Sequence, residues 1–577
     1  MSVAKSAPRS ARNRRWVVAP PAPPAFLAAQ TPLAPLVATL LHQRGIDTPE
    51  AIERFLLPDY RRGMHDPFLL KGMDIAVQRI AAAIEGGETM AVYGDFDTDG
   101  VTAVTLLMQA IAAMGGEIQP YIPHRVSEGY GLNTEAIDAL TGRGVKLLIT
   151  VDCGISNRDE VAHAAAAGLD VIVTDHHTPP AELPPALAVI NPKQPGCAYP
   201  FKQLVGVGIA YKLVQALVRR GLTMPLRGRD LLDVVALGTV ADMGPLIGEN
   251  RVLVKAGLES INTTSRAGLR ALIVTSGLVQ GKITAGDIGF GLGPRLNAAG
   301  RIDSAVRAYQ LLLAEDPAVA KQIAEALSAD NRQRQQLTKD VQAAALGAAE
   351  ASGKRDNQIV VLDDASYPSG IVGLVAARLV EDLGRPVIII ERQDPVSRGS
   401  ARSIPGFNIL DALTSCADLF VRYGGHAAAA GFSIPSDQID ELDARVNAYA
   451  AHHLTDDLLV PSLAIDAELS LSALSQELMA QLATLEPFGQ GNPRPLLMSQ
   501  RVHVDEALPR GADGSHLKLR LSDGQGGPSV EAIAFRLGHL AAPLQRHRWI
   551  DVAYHLEINE WNGKQTLQLN VRDFRRA

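Results

Sequence analysis

"AVYGDFDTDGVTAV", Ala91 to Val104, decides how the first half of the chain folds. Asp95, Asp97 and Asp99 alternate and Gly100 follows, which matches the D-x-D-x-D-G opening of a calcium-binding helix-loop-helix. Such a loop needs a bidentate glutamate at its twelfth position, where this chain has Leu106. The segment in front, "ETMAVY", is short, apolar and set off by Gly86 and Gly87, so it reads as a buried strand and not an entering helix. Behind the acids, "VTAVTLLMQAIAAM" has the length of a helix. A strand, an acidic turn and a helix leave the carboxylates at the carboxyl end of the strand, where open α/β sheets bind ligands.

The same rhythm continues to Asp242. "KLLITV" runs into Asp152, "LDVIVT" into Asp175 and "ALAVI" into Asn191, with Ala-rich stretches between them. This is the pattern of a parallel sheet with crossover helices. Asp316 and Pro317 supply an N-cap and a first-turn proline, and no further proline interrupts before Gly353. The spacing predicts one helix of about 35 residues, ~50 Å long, bridging two domains. A second α/β module begins at "NQIVVLDDA", continues through "RPVIIIE" and reaches the glycine-rich "YGGHAAAAGF". Beyond about Asp456, "HLKLRL", "VEAIAF" and "QTLQLNV" alternate between turns and predict a small β-barrel of the OB type. The expected division is a basic arm and N-terminal segment over 1–60, an α/β domain over 61–317, the connecting helix over 318–352, a smaller α/β domain over 353–455 and the barrel over 456–577.

A chain of 577 residues exceeds one hydrophobic core, and 47% hydrophobic with 20% charged residues is a globular composition. A net charge of −7 excludes a protein that coats duplex DNA by bulk charge, though it leaves room for a local basic groove. Cys153, Cys197 and Cys416 form no C-x-x-C pair, which excludes a zinc knuckle or a disulfide framework and fits a reducing cytoplasm. Lys5, Arg9, Arg12, Arg14 and Arg15 precede "WVVAPPAPPAFLAAQ", whose four prolines break any signal-peptide core, so a disordered basic arm is expected. No apolar run approaches the ~20 residues that span a bilayer.

The chemistry gathers at strand ends. Asp95, Asp97 and Asp99 follow one strand, Asp152 the next, and Asp175, His176 and His177 the one after, while Asp242 lies in "ALGTVADMGPL". Carboxylates crowded in one cleft repel each other unless cations neutralise them. That points to two divalent ions, able to activate a water for in-line phosphoryl displacement. Mixed carboxylate and imidazole donors suit Mn²⁺ first and Mg²⁺ second, whereas zinc favours Cys or more His. Taken alone, Asp152 reads equally well as a turn former. A haloacid-dehalogenase opening, D-x-D-x-[TV], fits Asp97, Asp99 and Val101 but leaves the histidine pair unexplained.

"GDFDTDG", "VDCG", "TDHH" and "VADMGP", in this order, resemble the four motifs of the DHH phosphoesterase superfamily, and "GGHAAAAGF" resembles the signature of its DHH-associated domain. With "GPRLNAAGRID", "NRQRQQLT", "GSARSIPGFNI" and "LEPFGQGNPRP", the likeness to the superfamily's bacterial single-strand exonucleases runs nearly end to end. The resemblance implies a parallel-sheet DHH domain, a long helix, a smaller α/β DHH-associated domain and an OB-like barrel. It implies metal-dependent hydrolysis of single-stranded DNA, 5′ to 3′, to 5′-mononucleotides in repair and recombination, including mismatch repair.

Carried across residue by residue, the resemblance makes Asp97, Asp99, Asp152, His176 and Asp242 the ligands of two Mn²⁺ or Mg²⁺ ions, with Asp152 bridging and Asp95 placed with them by its motif. Asp152, His176 and His177 form the catalytic group, His177 facing the scissile phosphate, and Asp175 orients an imidazole. Ser400 and Arg402 offer a 5′-phosphate forked donors, joined through the resemblance by Arg125, Arg301 and Gln335. Gly425 and His426 would meet the DNA backbone, although the Ala/Gly run around them also reads as a tightly packed helix start. Arg125 alone reads as a surface charge. His516, Lys518, Arg520, Phe535 and Arg536 are the candidates on the barrel. The implied partners are single-stranded DNA with a 5′ end, a single-strand-binding protein and a helicase, for a monomer with no membrane contact. Two rivals remain: a small-substrate phosphoesterase, which would need neither the barrel nor the long helix, and a non-catalytic single-strand-binding scaffold, which would not need the intact acidic set.

Overall fold

The computed structural model describes residues 10–577 except 31, 32, 126, 527, 528 and 562, and leaves out the side chain of Trp561. Lys5 and Arg9 of the expected arm lie outside the described residues. The rest of the arm corrects the expectation of disorder. Arg15–Val18 form a strand, β1, and Ser10 starts a turn in which its carbonyl accepts from Asn13 N and its Oγ from Arg14 N.

The first sheet contains β2 (Met90–Gly94), β3 (Ile118–Tyr121), β4 (Leu147–Val151), β5 (Asp170–Thr174) and β6 (Ala188–Ile190). All pair in parallel in the order β3-β2-β4-β5-β6. Because helices cover both faces, β2 and β4 are buried throughout: in β2, Met90 and Val92 enter one core, Ala91 and Tyr93 the other. The connection out of β2 goes to β3 on one side, and the chain then returns to β4 on the other. This reversal opens a crevice at the carboxyl ends of β2 and β4.

Helix α1 (Thr98–Ala113) follows β2, α2 (Gly206–Arg219) and α3 (Leu232–Ala241) pack beside it, and α4 (Gly248–Thr263) packs on α3. A single π-helical turn over Ile288–Leu292 leads into α5 (Gly293–Ile302). The predicted long helix is α6, Pro317–Ala351, 35 residues, with Asp316 Oδ1 capping Ala318 N at 2.7 Å. Its bridging role is written in its burial. Ala320, Ala324 and Leu327 belong to the core of the first module, and Val341, Ala345 and Ala349 to that of the second.

The second module is a mixed sheet of β7 (Val360–Asp364), β8 (Val387–Glu391), β9 (Val396–Arg402), β10 (Arg422–His426) and β11 (Ala429–Pro435), ordered β10-β11-β9-β8-β7. Helix α7 (Ser369–Leu383) packs on β8 and β9. The glycine-rich stretch is a hairpin of β10 and β11, which corrects the helix alternative. Gly425 has φ +150°, and a Cβ there would lie 2.4 Å from Ala429 O.

The third unit begins with β12 (Ser462–Ile465), which pairs in parallel with β1, and β13 (Ala467–Glu468). It continues through β14 (Leu497–Arg510), β15 (His516–Ser522), β16 (Val530–Ala534), β17 (Trp549–Trp561) and β18 (Lys564–Arg576). Pairing of β14 with β17 closes a five-stranded barrel and so removes its edges. Its core also takes Val37, Leu40, Leu41, Ile52 and Phe55 from the N-terminal segment. Arg251 of α4 fastens the barrel to the first module: its buried guanidinium donates to Phe55 O and Glu486 O, both at 2.7 Å, and stacks on the Phe55 ring.

Among the described residues, no helix is long and apolar enough to cross a membrane.

Candidate metal centre and phosphate cleft

The acidic turn after β2 is a helix cap. Asp97 Oδ1 accepts from Asp99 N (2.8 Å) and Gly100 N (3.2 Å), which starts α1. Gly100 is required because a Cβ there would lie 2.4 Å from Asp95 O. Asn297 of α5 locks the turn from outside, its Oδ1 accepting from Thr98 N and Oγ1 at 2.8 and 2.9 Å. Asp99 points inward, wholly buried, and each of its oxygens accepts a backbone N–H from the start of α2: Gly206 at 2.6 Å and Val207 at 2.8 Å.

Asp152 leaves β4 at φ +60°, a left-handed conformation that aspartate tolerates better than most residues. From there its carboxylate meets His176, with Oδ1 and Nε2 2.9 Å apart. The two buried atoms lack hydrogen-bonding alignment, so neither is satisfied, and the same holds for Asp95 Oδ1. His176 Nε2 also lies 3.7 Å from Asp242, which caps the end of α3, and 4.0 Å from Asp99. Three overlapping sets of donor atoms result: Asp95, Asp97 and Asp152; Asp99, His176 and Asp242; and Asp152, His176 and His177. Every residue expected to hold metal therefore falls in one centre.

Electrostatics match the crowding. Burial first, and then neighbouring carboxylates, push Asp95 up to about 8 and Asp242 up to about 7, and raise Asp99 and Asp152 as well. Burial and then the His177 charge lower His176 to about 3, leaving its ring neutral with a lone pair to give. Asp175 behaves oppositely. Although fully buried, it is held below the usual carboxylate range because it accepts from His177 Nδ1 (2.7 Å), from the backbone N–H of His176 and His177, and from Ile155 N. Asp175 thus orients His177, as expected, and outweighs burial to raise the pKa of that imidazole.

A second cluster is cationic. Arg402 and Ser400 lie on the same side of β9, with Arg402 Nη1 donating to Ser400 Oγ at 2.8 Å. Both rest on Gly373 of α7, where a Cβ would come within 2.7 Å of the guanidinium. Arg301 of α5 reaches across to Gly370 O at 2.9 Å. Burial, followed by the charges of Arg125, Arg334 and Arg402, pulls Arg301 down to about 9. Arg125 is no surface charge. It stacks on Phe96 at 3.9 Å, faces Asp95 and Asp97, and links the two clusters. The Nε atoms of Arg125, Arg301 and Arg334 are buried without partners.

Gln335 is exposed on α6, and it is its neighbour Arg334 that stands beside Arg301. His426 and Gly425 are exposed on β10. Of the barrel candidates, His516 and Phe535 meet edge to face at 5.2 Å, and Lys518 pairs with Glu531. Sequence reasoning missed Tyr130, whose hydroxyl lies 3.1 Å from His177 Nδ1 and 3.3 Å from Asp152 O, and Lys193, which holds the His176 carbonyl.

Comparison with known proteins agrees with this architecture. The model of the "DHH family, N-terminal domain" matches residues 89–239, that of the "DHHA1 domain" residues 356–452, and that of the "RecJ OB domain" residues 465–573. The single-stranded-DNA-specific exonuclease RecJ of Bacillus subtilis (strain 168) is 37% identical over 549 residues, 95% of this chain and 69% of that protein. Crystal structures of RecJ from Thermus thermophilus in complex with Mn²⁺ and with Mg²⁺ superpose with TM-scores of 0.83 and 0.77, at 33% and 31% identity. Both matches cover 98% of this chain, and 80% and 78% of theirs. The chain belongs to the RecJ family of single-stranded-DNA-specific exonucleases.

Proposed function

We propose that the chain is a metal-dependent exonuclease that hydrolyses single-stranded DNA from the 5′ end to 5′-mononucleotides. One observation carries the reading: buried acceptors without partners on Asp95, Asp152 and His176 lie in one cluster and buried donors without partners on Arg125, Arg301 and Arg334 in another, and Arg125, by its charge on Asp95 and Asp97 and on Arg301, joins the two. The first set suits cations and the second an anion.

Oxygen-rich donors with one neutral imidazole fit Mn²⁺ or Mg²⁺, held by Asp95, Asp97, Asp99, Asp152, His176 and Asp242, with Asp152 common to two of the donor sets. Two such ions, when bound, supply Lewis-acid charge and a water of lowered pKa. The chain's own groups do the rest. His177, fixed by Asp175, presents its other ring nitrogen as a donor to a phosphate oxygen. Arg301, Arg402 and Ser400, with Arg334 beside them and Gln335 adjacent, bind the terminal phosphate, and Arg125 sits between that end and the acidic centre. The exposed β10 edge, with Gly425 and His426, borders the strand's path.

The division at 61–317, 318–352, 353–455 and 456–577 is retained, with the N-terminal segment sharing the barrel core. The expected setting is the cytoplasm, where a helicase or a single-strand-binding protein presents substrate to a monomer. Incubating the protein with Mn²⁺ and end-labelled single-stranded, double-stranded and dinucleotide substrates tests the proposal. Mononucleotides from the 5′ end of single strands are expected. Cleavage confined to the dinucleotide would assign the centre to small substrates instead.

Two variants probe the parts. Gly206→Ala places a Cβ 2.6 Å from Asp152 Cβ and 2.9 Å from Asp99 Oδ2, so it displaces both carboxylates. Turnover should fall by about 10²-fold, the cost of a misplacement near 1 Å. Circular dichroism should stay native. Arg402→Ala should lower the preference for 5′-phosphate over 5′-hydroxyl ends by about tenfold, since it removes one charge-assisted contact of about 1.5–3 kcal/mol. An unchanged ratio in paired turnover assays would remove Arg402 from the phosphate site.

A further inference from the structure

The five parallel strands end in a row, β3-β2-β4-β5-β6, and each edge strand is followed by a cation beyond its carboxyl end. Four spacings of ~4.8 Å set those edges about 19 Å apart. Past β3, Arg125 stacks on Phe96, faces Asp95 and Asp97 and acts on Arg301 of the phosphate cluster. Past β6 stands Lys193, in a loop shaped by the wholly buried Asn191. Asn191 Oδ1 accepts from Lys193 N at 2.8 Å, and its Nδ2 donates to His177 O at 2.9 Å. Lys193 Nζ in turn donates to His176 O at 2.5 Å. Its charge reaches Asp242, where it and His177 oppose the rise that burial and Asp97 impose. The two cations thus bracket the acidic centre from opposite edges of the sheet. Lys193 is exposed, and among the described residues it makes no ion pair. Of its three N–H donors one is engaged by His176 O, which leaves two for a ligand.

We propose that Lys193 binds the phosphate that follows the scissile one, on the strand that is retained. The inference rests on the exonuclease reading and gives the crevice a direction. The terminal phosphate lies towards Arg301 and Arg125 at the β3 edge, the scissile phosphate at the acidic centre and His177, and the next phosphate towards β6. Hydrolysis breaks the bond from phosphorus to the 3′-oxygen, so the scissile phosphate stays on the strand that Lys193 holds. That strand must advance by one nucleotide before the next cleavage. A compact ammonium on a flexible stem suits a contact that is remade at every step, whereas the forked guanidinium groups suit the terminal phosphate, which is held in one geometry.

The test compares initial rates of the full chain in Mn²⁺ on 5′-phosphorylated substrates. A dinucleotide has only the scissile link, and a trinucleotide adds the phosphate assigned to Lys193. Lys193→Gln should lower kcat/KM on the trinucleotide about tenfold more than on the dinucleotide, the loss of one charge-assisted contact. Lys193→Arg, which keeps the charge, should keep the preference for the trinucleotide. In chelator, where nothing is hydrolysed, Lys193→Gln should reduce the slope of log K against log salt for a short single strand by about 0.7. A second arm needs no variant: a trinucleotide whose second link is an uncharged methylphosphonate should be about tenfold poorer for the wild type, and Lys193→Gln should not distinguish it from the natural trinucleotide. Equal losses on both lengths would leave Lys193 only the task of holding the His176 carbonyl and overturn the proposal. A methylphosphonate that costs the wild type nothing overturns it as well. A wild type that releases no mononucleotide from either substrate overturns the exonuclease reading instead.

Discussion

Asp152→Asn is expected to abolish hydrolysis, by a factor of about 10³ or more, while raising the melting temperature of the metal-free protein. The loss follows from removing the carboxylate common to two of the donor sets. The gain follows from charge. Asp95, Asp99, Asp152 and Asp242 all have folded pKa values above the ordinary 3.8, chiefly through burial and then mutual repulsion. Without metal the native state thus binds more protons than the unfolded chain. Their contribution to stability is present in acid and is lost as pH rises through about 7 and about 8, the values at Asp242 and Asp95. Asparagine keeps the shape and tolerates the left-handed backbone at φ +60°, so the variant isolates the charge. Stabilisation of about 1 kcal/mol would raise the melting temperature by ~2–4 °C. Melting curves in chelator at two pH values, with and without Mn²⁺, measure it. The wild type should lose stability with pH only when metal-free and gain about 2.7 kcal/mol at a hundredfold excess of Mn²⁺ over its dissociation constant. If the metal-free variant melts below the wild type, Asp152 is a turn former, the role it could equally have had on sequence alone.

What was legible follows from local chemistry. The strand ends at Asp152, Asp175 and Asn191 could be read because strands buried on both faces are continuous apolar runs broken by polar residues. The long helix could be read from its cap, its proline and the absence of breakers. The arm could not. Its four-residue strand pairs with Ser462–Ile465, more than four hundred residues away, and nothing local signals such a partner. "GGHAAAAG" misleads for a similar reason: alanine favours helix, but the close approach at Gly425 suits a hairpin. Within the site, carboxylates and histidines announce themselves by type. Arg334 does not, since which face of α6 turns toward Arg301 is set by packing against two cores.

The largest expected loss of stability lies away from the chemistry. Lys212 of α2 and Glu249 of α4 form an ion pair at 2.9 Å with both side chains wholly buried. Lys212 also donates to His65 O at 2.6 Å, and Glu249 accepts from His65 N and the Tyr199 hydroxyl. Four segments of the first module meet there, and α2 is the helix whose first N–H groups hold Asp99. Lys212→Met should cost about 3–5 kcal/mol, because it leaves Glu249 charged, buried and without its cation. Adding Glu249→Gln removes that stranded charge while keeping an amide oxygen to accept from His65 N and an amide NH2 that can donate to the Tyr199 hydroxyl. The double variant should therefore be more stable than Lys212→Met, and a double-mutant cycle in urea should show coupling of about 2 kcal/mol. Additive losses would mean that water or another group already compensates Glu249, and that the pair is not what holds α2 against α4.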